Sequence, residues 1–158
     1  METKLIDSFK IDHNVLKPGL YGRAPKHGVS TFDLRMCTPN KESISPSAMH
    51  SIEHCFATYF KTISKYSEEV VSFCPGACNT MFYLELVQDF NMPVYEEIWK
   101  AINYTLSLDK VPGREKSECG NYRQHNLESA KKWLLKYRDI IDSNINGCIY
   151  AEYVAGIS

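Results

Sequence analysis

Apolar and polar positions alternate from Ser8 to Val15. Phe9, Ile11, His13 and Val15 share one side of an extended segment, and Lys10, Asp12 and Asn14 share the other, which predicts a first strand. Pro18, Gly19, Gly22, Pro25 and Gly28 then predict a loop. Alternation returns from Thr31 to Met36, with Phe32, Leu34 and Met36 inward and Asp33 and Arg35 on the opposite face, until Pro39-Asn40 ends the strand. Ser45-Pro46 has the form of an N-cap followed by proline at the first helical position. Behind it Met49, Ile52, Phe56, Phe60 and Ile63 recur at helical spacing. A short strand follows over Val70 to Cys74, a turn at Pro75-Gly76-Ala77, and a longer strand over Thr80 to Val87. A second helix starts near Pro93 and presents Val94, Ile98, Ala101, Ile102 and Thr105 on one face. After a loop with Pro112, Gly113 and Gly120, a third helix starts near Asn126 and turns Leu127, Ala130, Leu134 and Ile141 inward. The tail, residues 145–158, fits strand and helix equally.

The predicted order is β-β-α-β-β-α-α. Strands come in adjacent pairs instead of alternating with helices, so the fold class is α+β, an antiparallel sheet packed on helices. At 158 residues the chain is read as a single domain, 1–158, long enough to bury a core without disulfides. Eighteen basic residues balance 19 acidic ones, so no excess positive charge argues for nucleic acid or an anionic membrane as partner. Nowhere do enough consecutive apolar residues occur for a membrane-spanning helix. The opening METKLIDSFKIDH lacks the apolar core of a secretory signal, and a cytoplasmic location is the expectation. In a reducing compartment most of the six cysteines, Cys37, Cys55, Cys74, Cys78, Cys119 and Cys148, are expected to be packing thiols.

The densest chemistry is His50-Ser51-Ile52-Glu53-His54 on the first helix. Side chains four apart stand one above the other, so two imidazoles can close on one metal ion, with Glu53 beside them and free to move protons. A third ligand is needed. Cys119, in the loop Glu118-Cys119-Gly120, suits a thiolate ligand, and His125 is the alternative. A His₂Cys set leaves a position for water or substrate. Cys74 and Cys78 flank a turn. Spacing alone favours two ordinary thiols there, although Cys78 can also serve as an acid/base group. The H-x-x-E-H helix fits an inverzincin-type metallopeptidase, a metal-assisted isomerase or lyase, or a non-catalytic metal-binding protein.

The ordered set of short motifs resembles the S-ribosylhomocysteine lyase (LuxS) family. It comprises Ser8-Phe9 with Asp12-His13, Thr31-Phe32-Asp33-Leu34-Arg35, Pro39-Asn40-Lys41, His50 to His54, Pro75 to Cys78 with Phe82-Tyr83, Cys119-Gly120-Asn121-Tyr122, and Leu127-Glu128 with Ala130-Lys131. The resemblance implies a cytoplasmic homodimer with active sites shared between subunits. It implies cleavage of S-ribosyl-L-homocysteine to L-homocysteine and 4,5-dihydroxy-2,3-pentanedione, the autoinducer-2 precursor, by carbonyl migration and β-elimination. One Fe²⁺ per subunit is implied, with Zn²⁺ or Co²⁺ as substitutes, held by His50, His54 and Cys119. Glu53 and Cys78 become the acid/base pair, Ser8, His13 and Arg35 contact substrate, and His125 is not a ligand. The alternatives are the metallopeptidase and a catalytically impaired metal-binding homologue. The family's P-M-G-C-[RQ]-T-G-F-Y run reads Pro75-Gly76-Ala77-Cys78-Asn79-Thr80-Met81-Phe82-Tyr83 here, with Met81 in place of a glycine and Asn79 in place of a longer polar chain. Every residue assigned to chemistry is present, so altered pocket shape is expected at Met81, not lost activity.

Overall fold

A computed structural model describes residues 6–87 and 94–143. The tail read as ambiguous, 145–158, lies outside the described residues. A 3₁₀ turn, Asp7–Phe9, precedes β1 (Gly19–Lys26), β2 (Val29–Arg35), α1 (Pro46–Thr62), β3 (Val70–Pro75), β4 (Met81–Leu86), α2 (Val94–Ser107) and α3 (Leu127–Ser143). The four strands form one antiparallel sheet in the order β1-β2-β4-β3. The α+β class read from the sequence is the class observed.

Two expectations at the N-terminal end are overturned. Ser8 to Val15 is not a strand. Asp12 accepts hydrogen bonds from the Asn14 backbone N–H, at 2.9 Å, and from its side chain, and its carbonyl accepts from Val15 and Leu16. This local turn outcompetes the extended form that the alternation suggested, and Phe9 and Val15 stand exposed. Conversely, the segment read as a loop contains β1. Its Leu20 and Gly22 pair with Leu34 and Phe32, and the register slips between Arg23 and Lys26. β1 is an edge strand, and an edge strand with a bulge is where proline and glycine are tolerated in a sheet. A two-residue hairpin closes it, with His27 and Gly28 both at positive φ, as a turn matched to strand twist requires.

Helix α1 begins where Ser45 accepts from the Ala48 N–H and proline occupies the first turn. Its Met49, Ile52, Phe56 and Phe60 pack on the sheet face made by Phe32, Leu34, Phe73, Phe82 and Leu84, with Phe73 and Phe82 stacked at 5.2 Å. α2 and α3 complete that helical layer through Ile98, Ile102, Leu134 and Tyr137. Asn126 caps α3 by accepting from the Ser129 N–H at 2.9 Å. Among the described residues Cys37, Cys55, Cys74, Cys78 and Cys119 are free thiols. Burial pushes Cys37 up to about 11 and Cys55 up to about 12, so both are inert at neutral pH.

One buried acid ties the helices together. Glu97 accepts from Tyr59, Ser64 and the Lys65 N–H, and pairs with Lys100 at 2.7 Å. Burial would raise its pKa, but the bonds from Lys100, Ser64 and Tyr59 outweigh burial and hold it below the ordinary value. Its ionised form therefore contributes stability above the unfolded-state value of 4.5, and loses it as pH falls through the folded value. Glu97→Gln is expected to cost about 2 kcal/mol at neutral pH. In thermal melts of both proteins across pH, the gap should narrow in acid. A gap that widens below pH 4 would contradict the assignment.

Candidate metal centre and a second polar cluster

His50 and His54 share one side of α1, since a 100° step per residue sets them apart from Ile52 and Phe56, which face the sheet. The 111–126 segment folds over them. His50 Nδ1 lies 2.9 Å from the Gln124 carbonyl and His54 Nδ1 lies 2.9 Å from the Pro112 carbonyl. A carbonyl only accepts, so each Nδ1 carries the proton and each Nε2 keeps a free lone pair. The two rings meet edge to face at 4.7 Å. Gly113 has φ +66, and a β-carbon there would come within 3.3 Å of His54 Nδ1, so both backbone and space favour glycine.

Cys119 is buried beside them, its Sγ 3.4 Å from His50 Nε2 and 3.5 Å from His125 Nε2. The turn that carries it is closed by its own N–H donating to the Glu115 carbonyl at 3.0 Å. The ligand atoms of His50, His54, Cys119 and His125 all lie within 4.8 Å of one another. His125 stacks on His50 at 4.0 Å, and burial, followed by the two neighbouring imidazoles, pushes its pKa down to about 4, so it is neutral. The Glu53 carboxylate reaches to 3.7 Å from His54 Nε2, on the ligand side of that ring, and stays partly open to solvent. Two fixed imidazole lone pairs and a thiol in a half-buried pocket fit a divalent metal of borderline softness. An inverzincin-type peptidase usually takes a carboxylate as its third ligand, and the ligating group here contains none among the described residues, which disfavours the peptidase reading.

The sequence-predicted substrate and thiol residues form a separate cluster. Asp33 and Arg35 alternate with Phe32 and Leu34, so they occupy the sheet face turned away from the helices. Their guanidinium–carboxylate bond is 2.5 Å long and both groups are buried. Burial, opposed by the Arg35 guanidinium, pushes Asp33 up to about 6, so it is ionised at neutral pH. Arg35 also donates to Thr80 Oγ1 at 2.9 Å and lies 4.0 Å from Cys78 Sγ, and Cys78 Sγ lies 2.9 Å from Thr80 Oγ1. Cys78, Thr80 and His13 line a cavity of about 430 Å³ with the 39–43 loop. His13 is oriented by its Nδ1–H, which donates to the Ile11 carbonyl at 2.8 Å. Ser8 sits half-buried on the 3₁₀ turn.

The structure thus groups His50, Glu53, His54 and Cys119 at one place and His13, Arg35 and Cys78 at another, with Ser8 on the turn ahead of His13. Sequence reading did not single out Thr80, which bridges Arg35 and Cys78, or Asp33 as the partner of Arg35. Period-two alternation carried the signal for Asp33, two positions before Arg35 on the same face. Nothing in spacing marked Thr80.

The sequence profile of the family described as S-Ribosylhomocysteinase (LuxS) matches residues 6–147. The chain is similar to the S-ribosylhomocysteine lyase of Clostridium acetobutylicum, 37% identical over 147 residues, covering 87% of this chain and 92% of that one. It is 38% identical over 148 residues to the S-ribosylhomocysteine lyase of Finegoldia magna, with the same two coverages of 87% and 92%. It is 34% identical over 154 residues to that of Clostridioides difficile, covering 93% and 98%.

Proposed function

The chain belongs to the S-ribosylhomocysteinase (LuxS) family, and from that we propose that it is a metal-dependent carbon–sulfur lyase, acting as a single domain on S-ribosyl-L-homocysteine. The products are L-homocysteine and 4,5-dihydroxy-2,3-pentanedione, the autoinducer-2 precursor. The observation that carries the reading is the imidazole pair whose Nδ1 protons are committed to backbone carbonyls beside a buried thiol and a carboxylate outside the ligating group. The separate thiol–guanidinium cluster suits a carbonyl-shifting lyase, which needs a second acid/base group besides Glu53 to move protons along a sugar chain.

His50, His54 and Cys119 would hold the metal, Fe²⁺ in the cell with Zn²⁺ or Co²⁺ as substitutes, one per subunit. When bound, such an ion polarises a carbonyl and stabilises the negative charge that forms when a neighbouring C–H loses its proton. Glu53 takes and returns that proton on the metal side. Cys78 does the same from the opposite side, with Arg35 and Thr80 holding its sulfur in place. Two such shifts carry the carbonyl to the third carbon. Removal of the proton on the carbon between that carbonyl and the thioether then expels homocysteine. His13, Arg35 and Ser8 orient the substrate's polar groups.

The two clusters hang on opposite sides of the helix-on-sheet layers, which supports a homodimer in which each site takes its metal from one copy and Cys78 from the other. Ile6, Phe9 and Val15 stand exposed on the segment that also carries His13, and such apolar side chains suit an interface. No helix among the described residues is long and apolar enough to cross a membrane, and the substrate's chemistry suits the cytoplasm, without nucleic acid or membrane as partner.

Cys78→Ala is expected to keep its metal and release no homocysteine. Mixed with Glu53→Gln protein under exchange conditions, it should recover roughly a quarter of the parent rate, because half the dimers carry one intact site. Full activity of Cys78→Ala alone would remove the thiol from the mechanism. Failure of exchanged mixtures to recover any rate would place both groups in one chain's site.

A further inference from the structure

The turn that carries Cys78 is held by a residue with no assigned chemistry. Gly76 N–H donates to the Met81 carbonyl at 2.9 Å, Asn79 N–H donates to the Gly76 carbonyl at 3.0 Å, and Asn79 itself sits at φ 58. Met81 pairs with Arg35 across the β2–β4 register, so its side chain leaves the sheet on the outer face, opposite the helices. It is nevertheless only 1% exposed. The turn itself covers it. The Met81 sulfur lies over the Gly76 α-carbon, so that a β-carbon added at Gly76 would overlap it, with Met81 O at 3.3 Å and Cγ at 3.4 Å. Gly76 is not among the glycines with positive φ. Its backbone φ would accept a side chain, and the Met81 sulfur, with the Met81 carbonyl oxygen beside it, is what stands in the way of one.

We propose that Met81 is a positioning residue for Cys78. Its side chain fills the space over Gly76 and fixes the 75–80 turn, which holds the Cys78 sulfur against Thr80 and near Arg35. Positions 76 and 81 form one packing pair with room for one long side chain. The catalytic consequence rests on the reading of Cys78 as an acid/base group. The packing does not.

The test is a cycle of Met81→Gly, Gly76→Met and the double variant. It is read by kcat and KM for homocysteine release and by the rate at which iodoacetamide modifies Cys78, followed by peptide mass spectrometry. Met81→Gly is expected to lower kcat by about tenfold or more, with KM changed less than about threefold, since loosening a reacting group by a fraction of an ångström acts on the chemical step. Its Cys78 alkylation rate should change by at least about threefold, and bound metal should not change. Gly76→Met alone overpacks the hairpin and should be the least stable of the set. The double variant moves the methionine to the other side of the turn and should return kcat and alkylation to within about threefold of the parent, a strong departure from additivity. If Met81→Gly does not fold, Met81→Ala, which keeps a β-carbon on the strand, stands in for it. Unchanged kcat and alkylation in the folded truncation, or a double variant as impaired as the product of the singles, would overturn the proposal. A parent that releases no homocysteine while its alkylation rates follow the cycle would uphold the positioning of Cys78 and refute the lyase reading.

Discussion

Replacing Cys119 by alanine is expected to strip the metal from the protein and abolish turnover. The imidazoles of His50 and His54 are held by the Gln124 and Pro112 carbonyls, but two neutral nitrogens supply no charge. Cys119, whose Sγ lies 3.4 Å from His50 Nε2, would supply the anionic donor once a metal is bound. Outer partners of metal ligands typically contribute 10–100-fold to affinity, so loss of a thiolate ligand itself should exceed about 100-fold. His125 is the control. It sits as close to the sulfur as His50 does, but its Nδ1 faces the Ser51 hydroxyl at 3.3 Å, which can donate as well as accept. Its Nε2 can therefore carry the proton and donate to the thiolate, where His50 and His54 have no such choice. Elemental analysis after dialysis decides. His125→Ala should retain most of its metal. If it loses the ion and Cys119→Ala keeps it, the third ligand has been misassigned.

Glu53→Gln should leave the metal in place and cut turnover by 10²–10⁴-fold, the usual contribution of a well-placed general base. The carboxylate is on the ligand side of His54 without belonging to the ligating group. Glutamine keeps its shape and cannot take a proton. Single-turnover assays on metal-matched protein measure the effect. A variant within about threefold of the parent would show that the proton goes elsewhere.

Much of the site is legible in the sequence because it is written in local spacing. Two histidines four apart on a helix are neighbours in space whatever the rest of the chain does. Proline after serine at 45–46 likewise places the start of α1 by local geometry. Alternation and punctuation mislead where a side chain's own hydrogen bonds or a neighbouring strand overrides them. Ser8 to Val15 alternates yet folds into turns, because Asp12 supplies its own hydrogen bonds. Gly19–Lys26 is punctuated like a loop yet forms a strand, because β2 offers it an edge. The predicted order of elements matches the observed order, although its first strand was placed on the wrong residues. At Met81 the departure from the family's run is visible in the sequence, and its compensation is not. Position 76 departs too, with glycine where that run has methionine, and only the hairpin register shows that the two side chains compete for one space.

The central claim is that the metal centre and the Cys78 cluster together break a carbon–sulfur bond. It is tested most directly by loading the protein with Fe²⁺ under anaerobic conditions, adding S-ribosyl-L-homocysteine and titrating the thiol released. The account predicts homocysteine in catalytic excess over protein, with an equal amount of the five-carbon diketone trapped alongside it. Metal-loaded, folded protein that releases no thiol from this substrate would contradict it.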